Sequence, residues 1–171
     1  MATPIGHCLT GAAIGAAFSI GGDTRYSIAV GAVAAMAADL DFIPGLLLGE
    51  ASRFHHAQSH SLAFAVLATA FTTLVARDAR WLWALLVGLG YTSHLAVDLI
   101  TLDDSPPHGI PLFWPWSSQV FQSPVTLFPN VPHQDGLVLS AHNIDLLARE
   151  VGFLGSLLFG VLLFVRRYHR A

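Results

Sequence analysis

Long apolar stretches separated by short polar breaks dominate this chain. The first covers residues 5–21 and is built of small residues, among them Gly11, Gly15 and several alanines. A helix of that kind lets neighbouring helices approach closely inside a membrane. Gly21-Gly22-Asp23 breaks it. The second stretch, 27–48, is long enough to span a bilayer, and its Pro44 predicts an end or kink around residues 41–42. The third, 62–76, is short for a bilayer, which predicts a start nearer Ser59 or shielding by other helices. The turn Arg77-Asp78-Ala79-Arg80 leads into the fourth, 81–101, and the fifth runs over 144–165 before a basic tail. Between these last two, Pro106, Pro107, Pro111, Pro115, Pro124, Pro129 and Pro132 forbid a continuous helix, and Trp114 and Trp116 suit a membrane interface. The pattern predicts an all-α polytopic membrane helix bundle of about five spans. Residues 1–171 form one domain, and 102–144 form an ordered loop over one mouth of the bundle.

Composition supports this class. The chain is 54% apolar and 11% charged, against roughly 25% charged for a soluble domain. All eight basic residues are Arg, and a net charge of -3 leaves no basic patch for nucleic acid. The lone Cys8 excludes an internal disulfide framework. The N-terminus lacks the basic segment of a signal peptide. With five spans and the Arg-rich tail in the cytoplasm, Arg25, Arg77, Arg80, Arg166, Arg167 and Arg170 lie inside, and Arg53 and Arg149 outside.

Polar residues in these apolar stretches carry the chemistry. His94 and Asp98 lie four apart, on one face of a helix, and can chelate one ion. Ionisable groups at such depth are expensive without a partner. Asp39 and Asp41 sit in the second stretch, and both can face inward only if the helix is broken there. His55, His56 and His60 are the densest cluster of potential ligands, and His7 begins the first span. On the five-span topology these groups gather at the outer mouth of the bundle. His56 is read as facing solvent, and Asp103, Asp104, His108, His133, His142 and Asp145 as loop polars. Blander roles compete: an intrahelical His94/Asp98 pair, Asp39 and Asp41 as caps, and Ser59 or Ser61 as a helix cap.

The motifs Gly6-His7, Asp39-Leu40-Asp41, His55-His56-Ala57-Gln58-Ser59-His60-Ser61-Leu62, Ser93-His94-Leu95-Ala96-Val97-Asp98 and Gly109-Ile110-Pro111-Leu112-Phe113-Trp114-Pro115 occur in an order and spacing that resembles one family. It is the YdjM-like (LexA-binding) family of metal-dependent hydrolases associated with the bacterial inner membrane. The resemblance covers residues 6–116. His56-Ala57 departs from the family's Arg-Gly, Ser59 keeps the hydroxyl of its Thr, and the segment between Asp98 and Gly109 is longer and more acidic.

The resemblance implies a multi-pass inner-membrane hydrolase. In that reading His7, Asp39, Asp41, His55, His60, His94 and Asp98 hold one to three divalent ions, zinc by preference from the N/O donor mix. Asp41 by preference, or Asp39, takes the proton of the attacking water. Arg53 and Ser59 face the substrate, a lipid phosphoester drawn from the membrane. The same HxxxD ligand pair serves the all-α zinc phospholipase C and nuclease group, which is an analogy. No GxSxG elbow offers a competing nucleophile. Two rival classes stay open: a divalent-metal or proton transporter, and a structural or partner-binding membrane protein whose polar cluster knits the bundle.

Overall fold

The computed structural model describes residues 2–18, 20–49, 54–104, 106, 108–130 and 141–168. Helix α1 runs over Pro4–Ala17, with Pro4 at its first turn and the Thr3 hydroxyl accepting from Gly6 N at 3.1 Å. The chain leaves the helix at Phe18, which is extended, and Gly21 and Gly22 take positive φ to reverse it. Helix α2, Thr24–Met36, is capped by Asp23, whose Oδ1 accepts from Arg25 N and Tyr26 N. A 3-10 turn, Ala38–Asp41, then leads into the short α3, Phe42–Leu47. The segment Ala38–Leu47 is bent by 46° from Thr24–Met36. The break lies at the 3-10 turn, a few residues before the point that Pro44 predicted.

Helix α4, Leu62–Val75, starts at its Ser61 cap, whose hydroxyl accepts from Phe64 N and donates to Gln58 O at 2.7 Å. Helix α5, Arg80–Ile100, coincides with the fourth apolar stretch, and α6 covers Ala141–Tyr168. No strand forms among the described residues. Two isolated bridges, Thr101 to Phe128 and Ile110 to Phe121, fold the proline-rich segment back over the end of α5. Gly109, at φ 131, permits that close approach, because a Cβ there would strike the Phe121 carbonyl. Ile110 is inserted into a core with Ala38, Ala65, Tyr91 and Leu95. Leu62 N donates to Leu112 O at 3.0 Å, tying the start of α4 to the same segment.

The five expected spans are not what the helices provide. Among the described residues two helices, Arg80–Ile100 and Asn143–Val165, are long and apolar enough to cross a membrane, or three if the bent pair of Thr24–Met36 and Ala38–Leu47 counts as one. Hydropathy marks where apolar residues lie, whereas crossing requires continuous helix. Helices α1 and α4 have 14 residues each, about 21 Å at 1.5 Å per residue, against a hydrocarbon core of about 30 Å. The outer-mouth placement of the polar residues followed from five crossings and loses that support.

Close backbone contact sets the arrangement of α1, α2 and α5. A Cβ on Gly11 would strike the Gly31 carbonyl, one on Gly15 the Ser27 carbonyl, and one on Gly90 the Ala34 side chain. Helix α2 is thus pressed between α1 and α5 along glycine and alanine. Helix α6 joins α1 through Glu150, a buried side chain that accepts from Thr3 N at 2.9 and 3.3 Å. Most of the large apolar side chains of α6 face outward, as lipid contact requires.

A branched residue in this seam cannot be accommodated without separating the helices. We expect Gly31→Leu to destabilise the protein by about 1–3 kcal/mol, the usual cost of overpacking. By contrast, Gly152→Ala on α6, where a Cβ meets nothing, should be neutral or stabilising by up to about 1 kcal/mol. Thermal unfolding midpoints in detergent compare the two. Equal midpoints for the Gly31 variant and the parent protein would contradict this account of the seam.

Candidate metal centre

The seam fixes where the polar side chains point. Because α2 lies against α5, the Ala35 carbonyl accepts from His94 Nδ1 at 2.6 Å. A carbonyl only accepts, so that nitrogen carries the ring proton and Nε2 of the neutral ring presents a lone pair. His94 Nε2 lies 3.0 Å from Asp98 Oδ2, which is also an acceptor. Both atoms are buried and neither has a hydrogen-bond partner among the described residues. Two facing lone pairs in a dry interior call for a proton or a cation between them.

The 3-10 turn after α2 brings Asp39 to the same place. At three residues per turn, alternate residues lie closer in direction than they do on an α-helix, so Asp39 and Asp41 both reach the interior. The broken helix that both acids needed is therefore present. Asp39 Oδ1 lies 3.6 Å from His94 Nε2 and 3.6 Å from His60 Nε2. His60 Nε2 in turn lies 3.7 Å from Asp98 Oδ2. A tetrahedral zinc ion with bonds near 2.0–2.1 Å sets its ligand atoms roughly 3.3 Å apart. Around the four atoms from Asp39, His60, His94 and Asp98, the successive distances are 3.6, 3.6, 3.0 and 3.7 Å, close to that spacing. His7, from α1, stacks on His94 with centroids 3.7 Å apart and places Nε2 3.3 Å from Asp98 Oδ1. His7, His94 and Asp98 make a second group with metal-ligand spacing that shares two members with the first.

Asp41 stands one layer behind. Its Oδ2 accepts from Ser59 Oγ at 2.8 Å and lies 3.1 Å from His60 Nδ1, and its Oδ1 lies 3.0 Å from His55 Nδ1. Carboxylates in that position fix the tautomer and orientation of a ligating imidazole. Burial works against a charge on His60, yet hydrogen bonds to Asp39 and Asp41 and the charge of Asp98 outweigh it and raise its pKa to about 9. The same negative field favours a bound cation. His55 is driven the other way, to about 4, chiefly by burial. Its ring is stacked on Phe42 at 3.7 Å.

Seven side chains read from the sequence as ligands thus meet in one place: His7, Asp39, Asp41, His55, His60, His94 and Asp98. Ser59 hydrogen-bonds Asp41 and His60, and its carbonyl accepts from Tyr91 OH at 2.7 Å, so it braces the loop. Arg53 and His133 lie outside the described residues. His56 does not face solvent as expected: it is buried, with Nδ1 3.1 Å from Oδ2 of Asp103, which is also buried. Its dense cluster was the available signal, whereas Asp103 carried none beyond its charge. Glu150 was overlooked as well, although an acid within the last apolar stretch is itself a signal.

An apolar helical bundle with buried His/Asp groups able to hold a metal ion defines the class: a membrane protein with a candidate metal centre. The family model described as YdjM inner membrane protein matches residues 1–171, the whole chain. The chain belongs to this family and is an inner membrane protein. Neither a curated protein nor a solved structure matched it.

Two carboxylates can now be told apart. Asp98→Asn, which removes a lone-pair oxygen aimed at His94, should abolish divalent-metal binding. Asp41→Asn, which acts through His60 and His55, should weaken it about 10–100-fold. Metal dissociation constants from competition with a chromogenic chelator test this, and the reverse order would contradict the assigned layers.

Proposed function

We propose that this protein is a metal-dependent hydrolase embedded in the membrane, acting on a phosphoester or other lipid substrate. The observation that supports this reading is the buried set of Asp39, His60, His94 and Asp98, whose neighbouring nitrogen and oxygen atoms lie 3.0 to 3.7 Å apart and suit a cation. His60, His94 and Asp98 would hold the ion, with His7 against Asp98 from the other side, and would leave the position beside Asp39 open to water. A divalent ion in such a site lowers the pKa of water toward neutrality and polarises a phosphoryl or acyl oxygen. Zinc is the metal that the mixed N/O donor set favours.

The rest is done by the chain. Asp39 is the most exposed of the four, with 15% of its side chain accessible against 3% for Asp98 and none for His60 or His94. Water and substrate therefore arrive past Asp39, and we assign proton acceptance from the attacking water to its carboxylate. Asp41 is a positioning residue, since His55, Ser59 and His60 already engage its two oxygens. Thr101, Ile110 and the folded-back proline-rich segment close the site from one end of α5 and exclude bulk water. A conduit would need polar groups along the bundle. Here the ligand-type residues collect toward the C-terminal end of α5, which favours a site over a path.

The test is to purify the protein in detergent without chelator, count bound metals by elemental mass spectrometry, and assay phospholipid hydrolysis in mixed micelles. We expect at least one divalent ion per chain, hydrolysis that a chelator abolishes and zinc restores, and loss of both in a His94→Ala/Asp98→Ala variant. A folded, metal-free protein that cannot be loaded would overturn the proposal.

A further inference from the structure

We propose that His55 and His56, with His60 between them and the centre described above, form a second cation position beside it. The inference rests on the proposed metal centre and adds a distinct, histidine-only site to it. One ring nitrogen from each of the three histidines lies within 4.8 Å of one from each of the others. Their rings are packed together, with centroids 4.3 Å apart for His55 and His56 and 4.8 Å for His56 and His60.

Each of these rings is held from behind by a carboxylate. His55 Nδ1 lies 3.0 Å from Asp41 Oδ1, and His60 Nδ1 lies 3.1 Å from Asp41 Oδ2. His56 Nδ1 lies 3.1 Å from Asp103 Oδ2, which also accepts from Gly109 N at 3.0 Å. An imidazole whose Nδ1 donates to a carboxylate presents Nε2 as a lone pair, which is the arrangement of a metal-ligating histidine. His56 shows it most plainly. The residue is only 8% exposed, and its Nε2 is buried with no hydrogen-bond partner among the described residues. The backbone at His56 is left-handed, at φ 58, a conformation uncommon outside glycine.

Packing alone does not account for this. Aromatic packing would be served by Phe or Tyr, without burying a polar nitrogen that has nothing to bind. Nor does the first centre use His56, because the pairs that define that centre run between His7, Asp39, His60, His94 and Asp98. When His60 Nε2 serves the first ion, the second keeps His55 and His56 as protein ligands and has open positions. Those positions suit an anionic oxygen of a phosphoryl group, so the pair of sites would hold a phosphoester between them. Imidazole nitrogens select zinc or cobalt over magnesium or calcium.

The test is a cobalt titration of chelator-stripped protein in detergent, followed by visible absorption, with bound metal counted after desalting. We expect two cobalt ions per chain in the wild type and one in His56→Phe, which keeps the ring volume and removes the ligand. Asp103→Asn, a change that leaves the His56 ring in place, should weaken only the second ion, by about 10–100-fold. Circular dichroism of each stripped variant checks that it is folded. One ion in both the wild type and His56→Phe, or two in both, would overturn the second site and leave the first standing. A wild type that binds none would overturn both.

Discussion

Direct contact between the backbones of α1, α2 and α5 is the constraint from which the rest of the structure follows. Gly11, Gly15, Gly31 and Gly90 remove the side chains that would hold these helices apart. Only then does the Ala35 carbonyl come within 2.6 Å of His94 and fix which nitrogen of that ring is free. The same approach stacks His7 on His94 and delivers the 3-10 turn with Asp39 to their side. In lipid there is no hydrophobic gain in bringing helices together, so close packing and polar links must supply the cohesion. Here the seam and the His/Asp cluster depend on one another, because each is satisfied only in the presence of the other.

The cluster has two layers, and they share a logic. At His56, His60 and His94, Nδ1 faces a carbonyl or carboxylate oxygen and Nε2 is buried without a hydrogen-bond partner among the described residues, whereas His7 is turned the other way, with Nε2 toward Asp98. Ala35 does this for His94, Asp41 for His55 and His60, and Asp103 for His56. The arrangement fixes tautomers without spending the inward nitrogens on internal hydrogen bonds. It leaves buried ring nitrogens and carboxylate oxygens directed at one another, an arrangement that favours positive charge between them.

Much of the centre was legible in the sequence because its members are conspicuous where they stand. His94 and Asp98 interrupt an apolar helix, and Asp39 and Asp41 interrupt another; no comparable cost is tolerated for nothing. The order of motifs carried the family as well. Less legible was anything that depends on how a loop folds. The burial of His56 and Asp103 requires residues 102–130 to turn back over α5, and no periodicity announces that turn. The number of spans failed for a different reason. Apolar residues continue past Ala17, yet the backbone abandons the helix at Phe18 to make a tight reversal, and hydropathy does not register that departure. No sequence pattern separates Asp41 from Asp39, since their offset is set by the pitch of a single 3-10 turn.

The link between Glu150 and Thr3 N joins positions 147 residues apart in the chain. Thr3 caps the helix on which His7 lies one turn further on. The helix that carries His7 is therefore seated by a residue of α6. Glu150 thus anchors the start of α1, one turn before the His7 ring that stacks on His94. Helix α6 contributes none of the described groups with metal-ligand spacing, yet it helps to hold one of their members in place.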